Sequence, residues 1–558
     1  MTTNAQTVTE TERTWWKEAV VYQMYPRSFA DSDGDGVGDI RGIIDHLDYV
    51  ASLGVDVIWL NPVYESPQHD NGYDISDYRA IHEEYGTMAD WEALLDEIHA
   101  RDMKLIMDLV VNHTSADHEW FQRSRERDPE YDDYYIWREG EDGGPPNNWE
   151  SFFGGSAWEY DDERGEYYLH LYDTSQPDLN WRNPAVRQDV FDTIDWWLQK
   201  GIDGFRMDVI NLLSKVEGLP DGDPESEWVG SEHFIDGPEM MGYLEALDEQ
   251  VLSNYDVMTV GEMPQLTVEM AREYAGEDGP LDMAFHFQHT KLDYGGDERW
   301  AVGEWELSEL SEITRRWQQG LAGDSWNAVY WENHDQPRVV SRYGDPDEYR
   351  AESAKLLGTY ILTLGGTPYV YQGQELGMTN AEWASVDDLR DVDAINHARE
   401  LLEDGADSYE EIRDVVGYRT RDNARTPMQW DDSVNAGFTD GDPWIQVNGN
   451  YERVNVAAQA ASDSVLNYYR DLVALRNDHD ALVYGDYEEV ARDDEAVCAY
   501  TRTLDSERLF VVLNFSDSEI PVDIPEVDGG TLLLSNYDEE TRAAATLAPY
   551  EARVYTLA

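Results

Sequence analysis

Three acidic residues that close apolar runs are the part of this sequence best suited to chemistry. They are the final residues of GFRMD (204–208), MTVGE (258–262) and VYWENHD (329–335), namely Asp208, Glu262 and Asp335. Two carboxyl groups that flank a glycosidic bond can cleave it, because one attacks the sugar carbon while the other protonates the leaving oxygen. The three acids therefore indicate glycosidic bond cleavage. For each acid taken alone, the alternative is a hydrogen-bonded strand end with a structural role.

The elements that must position these acids alternate between strands and helices. Eight apolar runs are candidate strands: 20–29, 55–63, 104–113, 204–210, 256–263, 283–287, 327–335 and 367–375. Segments between them, such as 91–102 and 186–201, carry apolar residues at helical spacing. Eight parallel strands separated by helices close a (β/α)8 barrel, whose catalytic groups lie at the carboxyl ends of the strands. The sequence therefore predicts an α/β fold, a TIM barrel with two additions.

Composition predicts the two domains that are added to the barrel. The barrel is expected to occupy 1–113 and 173–483, with an excursion at about 377–455 after the eighth strand. Residues 114–172 are too long and too rich in Gly, Pro and aromatic residues for a plain loop, and predict a small inserted domain after strand 3. Residues 484–558 alternate apolar and polar positions, which is typical of an antiparallel β-sandwich.

The charge of the chain is extreme, because 117 acidic residues outnumber 40 basic ones and give a net charge of −77. The 20 Trp and 35 Tyr residues favour a packed core over disorder. At molar salt the Debye length falls to about 3 Å, which screens the repulsion within such a surface. We therefore expect a halophilic protein that depends on salt. Nucleic acid is excluded as a partner, because phosphate binding needs basic patches.

Cysteine content and hydropathy limit the cellular locations that we expect. Cys498 is the single cysteine, so no intramolecular disulfide is possible, and a small buried residue is the expected role. The polar N-terminal segment has no apolar core of a secretory signal, and no run of 18 apolar residues exists. We expect a cytoplasmic protein that has no membrane partner.

Five motifs that follow one another along the chain carry a family resemblance. They are DLVVNH (108–113), QPDLNW (176–181), GFRMDV (204–209), VGEM (260–263) and ENHDQPR (332–338). With them the chain resembles the α-amylase superfamily, glycoside hydrolase family 13, in its α-glucosidase and oligo-1,6-glucosidase branch. The resemblance covers nearly the whole length. It implies that Asp208 is the nucleophile, Glu262 the general acid/base, and Asp335 the acid that binds the sugar hydroxyls and stabilises the transition state.

The residues around Asp208 and Glu262 predict the protonation states that a nucleophile and a general acid need. Arg206 precedes Asp208 by two positions on one strand, so both side chains project to one side and Arg206 is expected to keep Asp208 ionised. A purely structural ion pair inside the barrel is the alternative for Arg206. Glu262 follows an apolar run, and low polarity would raise its pKa towards that of a general acid.

The resemblance also implies a glucose-binding set. His113 and His334 end strands beside the acids and are expected to bind glucose hydroxyls, the alternative being structural histidines. Asp70 resembles the group that binds the terminal hydroxyls, and Tyr73 the ring that stacks under the sugar. Arg421 is expected to pair with Asp70 and close the far end of the pocket, unless 421–430 is a solvated turn. A closed end favours exo-acting cleavage of small oligosaccharides.

Val209, which follows the proposed nucleophile, bears on the linkage that is cleaved. In the branch that this chain resembles, Val at this position is typical of α-1,6 enzymes and Thr or Ala of α-1,4 enzymes. Discrimination by one such group is worth only about 1–3 kcal/mol, so activity on both linkages remains compatible with it. A place in the strand core is the alternative role for Val209.

The segment DSDGDGVGD (31–39) begins like a calcium loop, with oxygen donors at alternate positions. It is not an EF-hand, because Gly42 stands where the bidentate Glu should be. The resemblance implies a structural Ca²⁺ or Mg²⁺ site after the first strand, with ligands from Asp31, Asp33, Asp35, the Val37 carbonyl and Asp39. An acidic turn without metal is the alternative. No organic cofactor is implied.

Two other functions remain open. A same-fold isomerase or transglycosylase, similar to trehalose or isomaltulose synthases, would use the same three acids but retain the released sugar. A non-catalytic sugar-binding subunit is disfavoured, since all three acids are present and no membrane anchor is found.

Overall fold

The eight expected strands form one closed parallel sheet in the computed structural model, which describes residues 13–141, 143–296, 298–323, 325–403, 405–461, 463–490, 494–522, 530–538 and 546–557. The barrel strands are β1 (Val21–Met24), β2 (Val57–Leu60), β3 (Lys104–Val110), β4 (Gly204–Asp208), β5 (Met258–Glu262), β6 (Met283–Phe285), β7 (Ala328–Tyr330) and β8 (Thr367–Tyr371). Each strand pairs with its neighbour in the sequence, and β8 pairs with β1. A parallel bridge between Ala284 and Asn327 joins β6 to β7. The predicted TIM barrel is confirmed.

Eight helices follow these strands in turn and cover the outside of the barrel. They are α1 (Ile40–Ala51), α2 (Met88–His99), α3 (Pro184–Lys200), α4 (Met240–Gln250), α5 (Val268–Tyr274), α6 (Leu307–Gly320), α7 (Arg350–Thr363) and α8 (Val465–Asp478). Local sequence sets their ends: Thr87 and Asp90 form a capping box at the start of α2, and Gly201 ends α3 with a φ of 103°.

Because helices cover the sheet, its strands are buried on both faces. Val57, Trp59 and Ile106 belong to the apolar cluster inside the barrel. Ile58 and Leu105, one position along, pack outward in the cluster beneath the helices. This burial explains why the strands read as continuous apolar runs in the sequence.

Two irregular segments lie over the carboxyl ends of the strands. The region between β3 and α3 holds a helix, Glu119–Arg125, and a three-stranded antiparallel sheet of Trp137–Arg138, Trp158–Asp161 and Glu166–Leu169. Its aromatic residues Trp149 and Trp158 share an apolar cluster with Val209, just beyond β4. Among its described residues, the region between β8 and α8 holds three α-helices: Val392–Glu403, Tyr409–Arg419 and Asp422–Arg425.

The C-terminal region is antiparallel, as predicted. Five strands pair in the order β9, β10, β11, β13, β12 and span β9 (Asp486–Glu489), β10 (Val497–Leu504), β11 (Glu507–Asn514), β12 (Thr531–Ser535) and β13 (Ala552–Thr556). A two-stranded pair, Ile520–Pro521 with Thr546–Leu547, packs against one face. Cys498 is buried in β10, and burial raises the pKa of its thiol to about 12, which fits a packed residue.

The remaining short α-helices of the described residues are Trp15–Glu18, Ser231–Phe234, Val339–Tyr343 and Asp480–Tyr484. Two short strand pairs are Tyr64–Glu65 with Asp77–Ile81 and Tyr294–Gly295 with Glu298–Val302. Within the described part of the chain, no helix has the length and apolar character needed to cross a bilayer.

Candidate active site

Asp208, Glu262 and Asp335 line one cavity of about 320 Å³ at the carboxyl ends of the barrel strands. Asp208 and Glu262 are the last residues of β4 and β5, as expected. Asp335 was expected to end its strand as well, which is wrong, since β7 stops at Tyr330. The side chain of Asn333 accepts a 2.8 Å hydrogen bond from the backbone N–H of Asp335 and thereby turns the loop towards the cavity.

Arg206 is the buried centre of the site. Its Nη1 lies 2.6 Å from both Asp108 and Asp208, and its Nη2 lies 2.5 Å from Glu262. The strand register explains these contacts, because Arg206 on β4 pairs with Asp108 on β3 and with Val260 on β5. The expected contact with Asp208 is present, and the side chain also touches two further acids that sequence reasoning did not assign to it.

Burial sets the protonation of the two central acids. It raises the pKa of Glu262 to about 7 and that of Asp208 to about 6, while Arg206 opposes both shifts. The expectation that Arg206 holds Asp208 ionised is therefore only partly right, since desolvation outweighs the cation and the pKa of Asp208 rises. Between about pH 6 and pH 7, Asp208 is mostly ionised and Glu262 mostly protonated, which is the division of roles that a nucleophile and an acid require.

Asp335 stays ionised in the same cavity. Against burial, which would raise it, His334, Arg421 and Arg425 hold the pKa of Asp335 well below its ordinary value. Arg425 Nη2 lies 2.9 Å, and Arg421 Nη1 3.4 Å, from Asp335 Oδ1. The site thus contains one firmly anionic group beside two that titrate near neutrality.

Burial lowers the pKa of His334. Its Nδ1 lies 2.9 Å from the amide nitrogen of Gln23, which can only donate, so the ring proton is assigned to Nε2. That atom lies 2.9 Å from Asp335 Oδ2. Like Asp335, His334 lies beyond the end of β7 and not on the strand, contrary to expectation.

Tyr73 lies face to face with His334, with ring centroids 5.0 Å apart and planes 4° from parallel. Its hydroxyl donates to Asp108 at 3.2 Å and accepts from Asn61 at 2.7 Å. These bonds fix the ring in the wall of the cavity.

The expected pair of Asp70 and Arg421 is present, with Nη2 and Oδ1 3.2 Å apart. Arg421 is also held by the buried Asp391, whose Oδ1 accepts from Nε at 2.7 Å. Because Arg421 is buried among carboxylates, the alternative of a solvated turn at this residue is wrong.

His113 also lines the cavity, although it lies three residues beyond the end of β3 and not on the strand. A bridge to Asp178 holds its backbone, and Gln176 lies 3.2 Å from its Nε2. The amide of Gln176 also donates to Asp70 at 3.2 Å, which joins the two predicted sugar-binding residues. Burial lowers the pKa of His113.

Val209 has a left-handed backbone with a φ of 36° and a ψ of 44°. This conformation is strained for a β-branched side chain and is found mostly where function requires it. It directs the Val209 N–H to Glu262 Oε2 at 3.2 Å and places the side chain in the cavity wall. The alternative of a strand-core role is wrong, because β4 ends one residue earlier.

Sequence reasoning missed four residues that hold this site: Asp108, Gln176, Asp391 and Arg425. Asp108 and Gln176 open two of the quoted motifs, so their types were visible but their contacts were not. Arg421 and Arg425 are four apart across a short helix, a spacing that puts both on one face. No motif or spacing in the sequence indicated Asp391.

The acidic loop after β1 gathers part of the predicted metal set. Asp31, Asp33 and Asp39 offer carboxylate oxygens that all lie within 4.8 Å of one another. Asp35 is not in that group, and its side chain accepts a 2.8 Å bond from the Val37 N–H. Three carboxylates fit a hard cation such as Ca²⁺ or Mg²⁺.

Comparisons with known proteins identify two matching family models and several similar proteins. Residues 23–485 match the family model described as alpha amylase, catalytic domain, and residues 497–554 match the alpha-amylase SusG C-terminal domain. An oligo-1,6-glucosidase of Parageobacillus thermoglucosidasius is 52% identical, over 98% of this chain and 99% of that protein. The crystal structure of a Bacillus licheniformis trehalose-6-phosphate hydrolase mutant has a TM-score of 0.93 at 48% identity and covers 98% of this chain and 100% of that one. That of an isomaltulose synthase from Klebsiella sp. LX3 has a TM-score of 0.94 at 43% identity, with coverage of 98% and 100%.

Proposed function

The chain belongs to the α-amylase family of glycoside hydrolases, and we propose that it is a retaining, exo-acting α-glucosidase that releases glucose from short α-glucosides. The observation that carries this proposal is the arrangement around Arg206, which holds one oxygen of Asp208 and one of Glu262 within 2.6 Å of a single guanidinium. Two acids placed side by side fit the short carboxyl separation of retaining enzymes, about 5 Å, better than the wider spacing of inverting ones.

The mechanism follows from the protonation states. Ionised Asp208 attacks the anomeric carbon of the terminal glucose, and protonated Glu262 gives its proton to the leaving oxygen. Water then cleaves the glucosyl ester on Asp208, with Glu262 now acting as base. Asp335, anionic throughout, accepts hydrogen bonds from the sugar hydroxyls, and these strengthen as positive charge develops on the ring.

The exo mode rests on the Asp70–Arg421 pair. This pair lies in the cavity wall together with His113, and Asp391 supports it from behind. Charged groups that are paired with one another and buried can bind the hydroxyls of a terminal sugar and leave no passage for a further one. Free glucose from the non-reducing end is the expected product.

An α-1,6 preference is supported by Val209 and by the oligo-1,6-glucosidase relative. The test is glucose release from isomaltose and from maltose by the wild-type enzyme in molar KCl. We expect a higher kcat/KM on isomaltose, and a preference for maltose would reject the α-1,6 assignment.

The alternative, an isomerase, is kept because of the isomaltulose synthase structure of similar fold. Sucrose separates the two functions, since a hydrolase gives glucose and fructose whereas an isomerase gives a rearranged disaccharide. A rearranged disaccharide as the main product would overturn the hydrolase proposal.

Replacing Val209 by Thr is expected to shift preference towards maltose. A single methyl-to-hydroxyl change in a pocket is worth about 1–3 kcal/mol, so the isomaltose-to-maltose ratio of kcat/KM should fall by about tenfold. Thr is β-branched like Val, so the backbone strain at this position is nearly unchanged. Val111→Thr is the matched control, because Val111 is buried at the barrel rim but does not line the cavity. An equal shift in both variants would show that the effect is not local.

We further propose that Asp31, Asp33 and Asp39 hold a structural Ca²⁺ or Mg²⁺ that takes no part in bond cleavage. Asp39 also caps α1, since its Oδ1 accepts from Gly42 at 2.8 Å, so the ion would fix the start of this helix. EDTA is expected to lower Tm by about 2–4 °C, and Ca²⁺ or Mg²⁺ to restore it.

Two variants distinguish a bound ion from a general effect of chelator. Asp33→Asn should abolish the Tm response, whereas Asp35→Asn should keep it, because Asp35 lies outside the group. A wild-type Tm that does not respond to EDTA would count against the metal.

A further inference from the structure

The cavity has a second wall, away from the Asp70–Arg421 end, that contains an ion pair at its surface. Lys291 Nζ lies 3.1 Å from both carboxylate oxygens of Glu227, and both residues line the cavity. The ammonium also lies 5.0 Å from the ring centroid of Trp228. Lys291 belongs to the loop after β6, whereas Glu227 and Trp228 belong to the segment after β4, so the pair joins two walls of the opening.

Both partners are held in place by their surroundings. Trp228 packs edge to face against Phe152, with ring centroids 4.9 Å apart. On the other side, Arg342 donates to the backbone oxygen of Thr290 at 2.5 Å and is itself bound to the buried Asp293. The residues next to Glu227 and Lys291 are therefore held in place at the cavity wall.

The charges of the cavity leave no described cation free for an anionic ligand. Three cationic side chains line it, and each has a carboxylate partner: Arg421 with Asp391, Arg299 with Asp393, and Lys291 with Glu227. The first two carboxylates are almost fully buried, whereas the side chains of Lys291 and Glu227 are 39% and 34% exposed. Five carboxyl groups line the same cavity, so an anion that entered would meet a negative field.

We propose that Glu227 is a specificity-determining residue that makes the enzyme select neutral over phosphorylated leaving groups, by neutralising Lys291 in the leaving-group subsite. This inference rests on the proposed glucosidase function and adds to it the chemical class of the leaving group. Trp228 supplies an apolar surface for a neutral sugar, and the ion pair supplies a donor and acceptors for its hydroxyls. A phosphate dianion would have to compete with Glu227 for the one ammonium group and would be repelled by the carboxylate that remains.

Discrimination between neutral and phosphorylated leaving groups matters because proteins of similar overall identity to this chain differ in the substrate that their names give. One is an oligo-1,6-glucosidase and another is a trehalose-6-phosphate hydrolase. Global similarity does not separate the two classes here. The charge of one side chain at the opening offers a local, testable distinction.

The experiment compares kcat/KM on isomaltose and on trehalose 6-phosphate for the wild type, Glu227→Gln and Glu225→Gln. The wild type should favour isomaltose. Glu227→Gln frees the Lys291 ammonium and removes a negative charge, and should raise the ratio of trehalose 6-phosphate to isomaltose by about tenfold. The gain should shrink as salt rises, because the pair is partly exposed.

Glu225→Gln is the matched control, since it makes the same charge change two residues away on an exposed side chain that does not line the cavity. Adding Lys291→Met to Glu227→Gln should abolish the gain, because the freed ammonium is then missing.

A wild type that prefers trehalose 6-phosphate, or a Glu227→Gln ratio that stays within twofold of the wild type, would overturn the inference. An equal gain in Glu225→Gln would also overturn it, since the effect would then be general surface charge. These results are distinct from a failure of the proposed function, which would show itself as a wild type that releases no glucose from any α-glucoside.

Discussion

Asp208→Asn is expected to lower turnover on isomaltose by about 10⁴-fold or more while leaving the fold intact. The amide cannot form the glucosyl ester, and effects of this size are usual when a covalent nucleophile is removed. The side chain is nearly isosteric, and Arg206 keeps its contacts with Asp108 and Glu262. The measurement is glucose release at substrate saturation, with Tm as the check on folding.

A second variant identifies the role more directly. Asp208→Gly leaves room beside the anomeric carbon, so azide should attack an activated α-glucoside from the vacated side and form the β-glucosyl azide. Formation of that product with inverted configuration supports the nucleophile role. Near-normal turnover of Asp208→Asn, or an α-glucosyl azide as the product, would contradict it.

Glu262→Gln is expected to lower kcat/KM on isomaltose by about 10³–10⁴-fold, the upper range for loss of a general acid. The loss should be much smaller for the first step on 2,4-dinitrophenyl α-glucoside, whose leaving group departs without a proton. Glucosyl-enzyme should then accumulate, because the amide that replaces the carboxylate of Glu262 cannot act as a base in the second step. An equal loss on both substrates would reject the acid role.

The pH profile gives an independent test of the same residue. Asp208 must be ionised, so wild-type kcat/KM should rise with pH through about 6. Glu262 must be protonated, so kcat/KM should fall as pH rises through about 7. The result is a narrow bell whose alkaline side belongs to Glu262. Glu262→Gln should lose that alkaline side, and its persistence near pH 7 would assign it to another group.

The barrel was predictable because each strand is buried on both faces and therefore reads as an apolar run. The same reasoning placed Asp208 and Glu262 correctly, since they end such runs. It failed for His113 and Asp335, because both residues follow the last strand residue by several positions and lie in a loop. For Asp335 the loop is shaped by a hydrogen bond from its backbone N–H to the side-chain oxygen of Asn333, which no periodicity reveals.

Contacts between distant segments were predictable only in part. Arg206 and Asp208 share a strand, so their contact follows from a period of two, whereas the contact with Glu262 depends on the register between strands. Asp391 and Arg425 lie in the long region after β8, and their places depend on how that region folds over the barrel. The positive φ of Val209 is likewise set by tertiary packing, since its sequence favours a strand.

The Asp70–Arg421 wall has a consequence for the order of events. In the proposed exo-acting pocket, whose far end this pair closes, the leaving group departs first, because the bound glucose lies behind it. The hydrolytic water then enters by the path that the leaving group has vacated, and glucose is released last through the same opening. Any alcohol that enters this opening before water does becomes the acceptor of the glucosyl group. Concentrated substrate should therefore divert part of the glucosyl-enzyme from hydrolysis to transglycosylation, which lengthens the oligosaccharide.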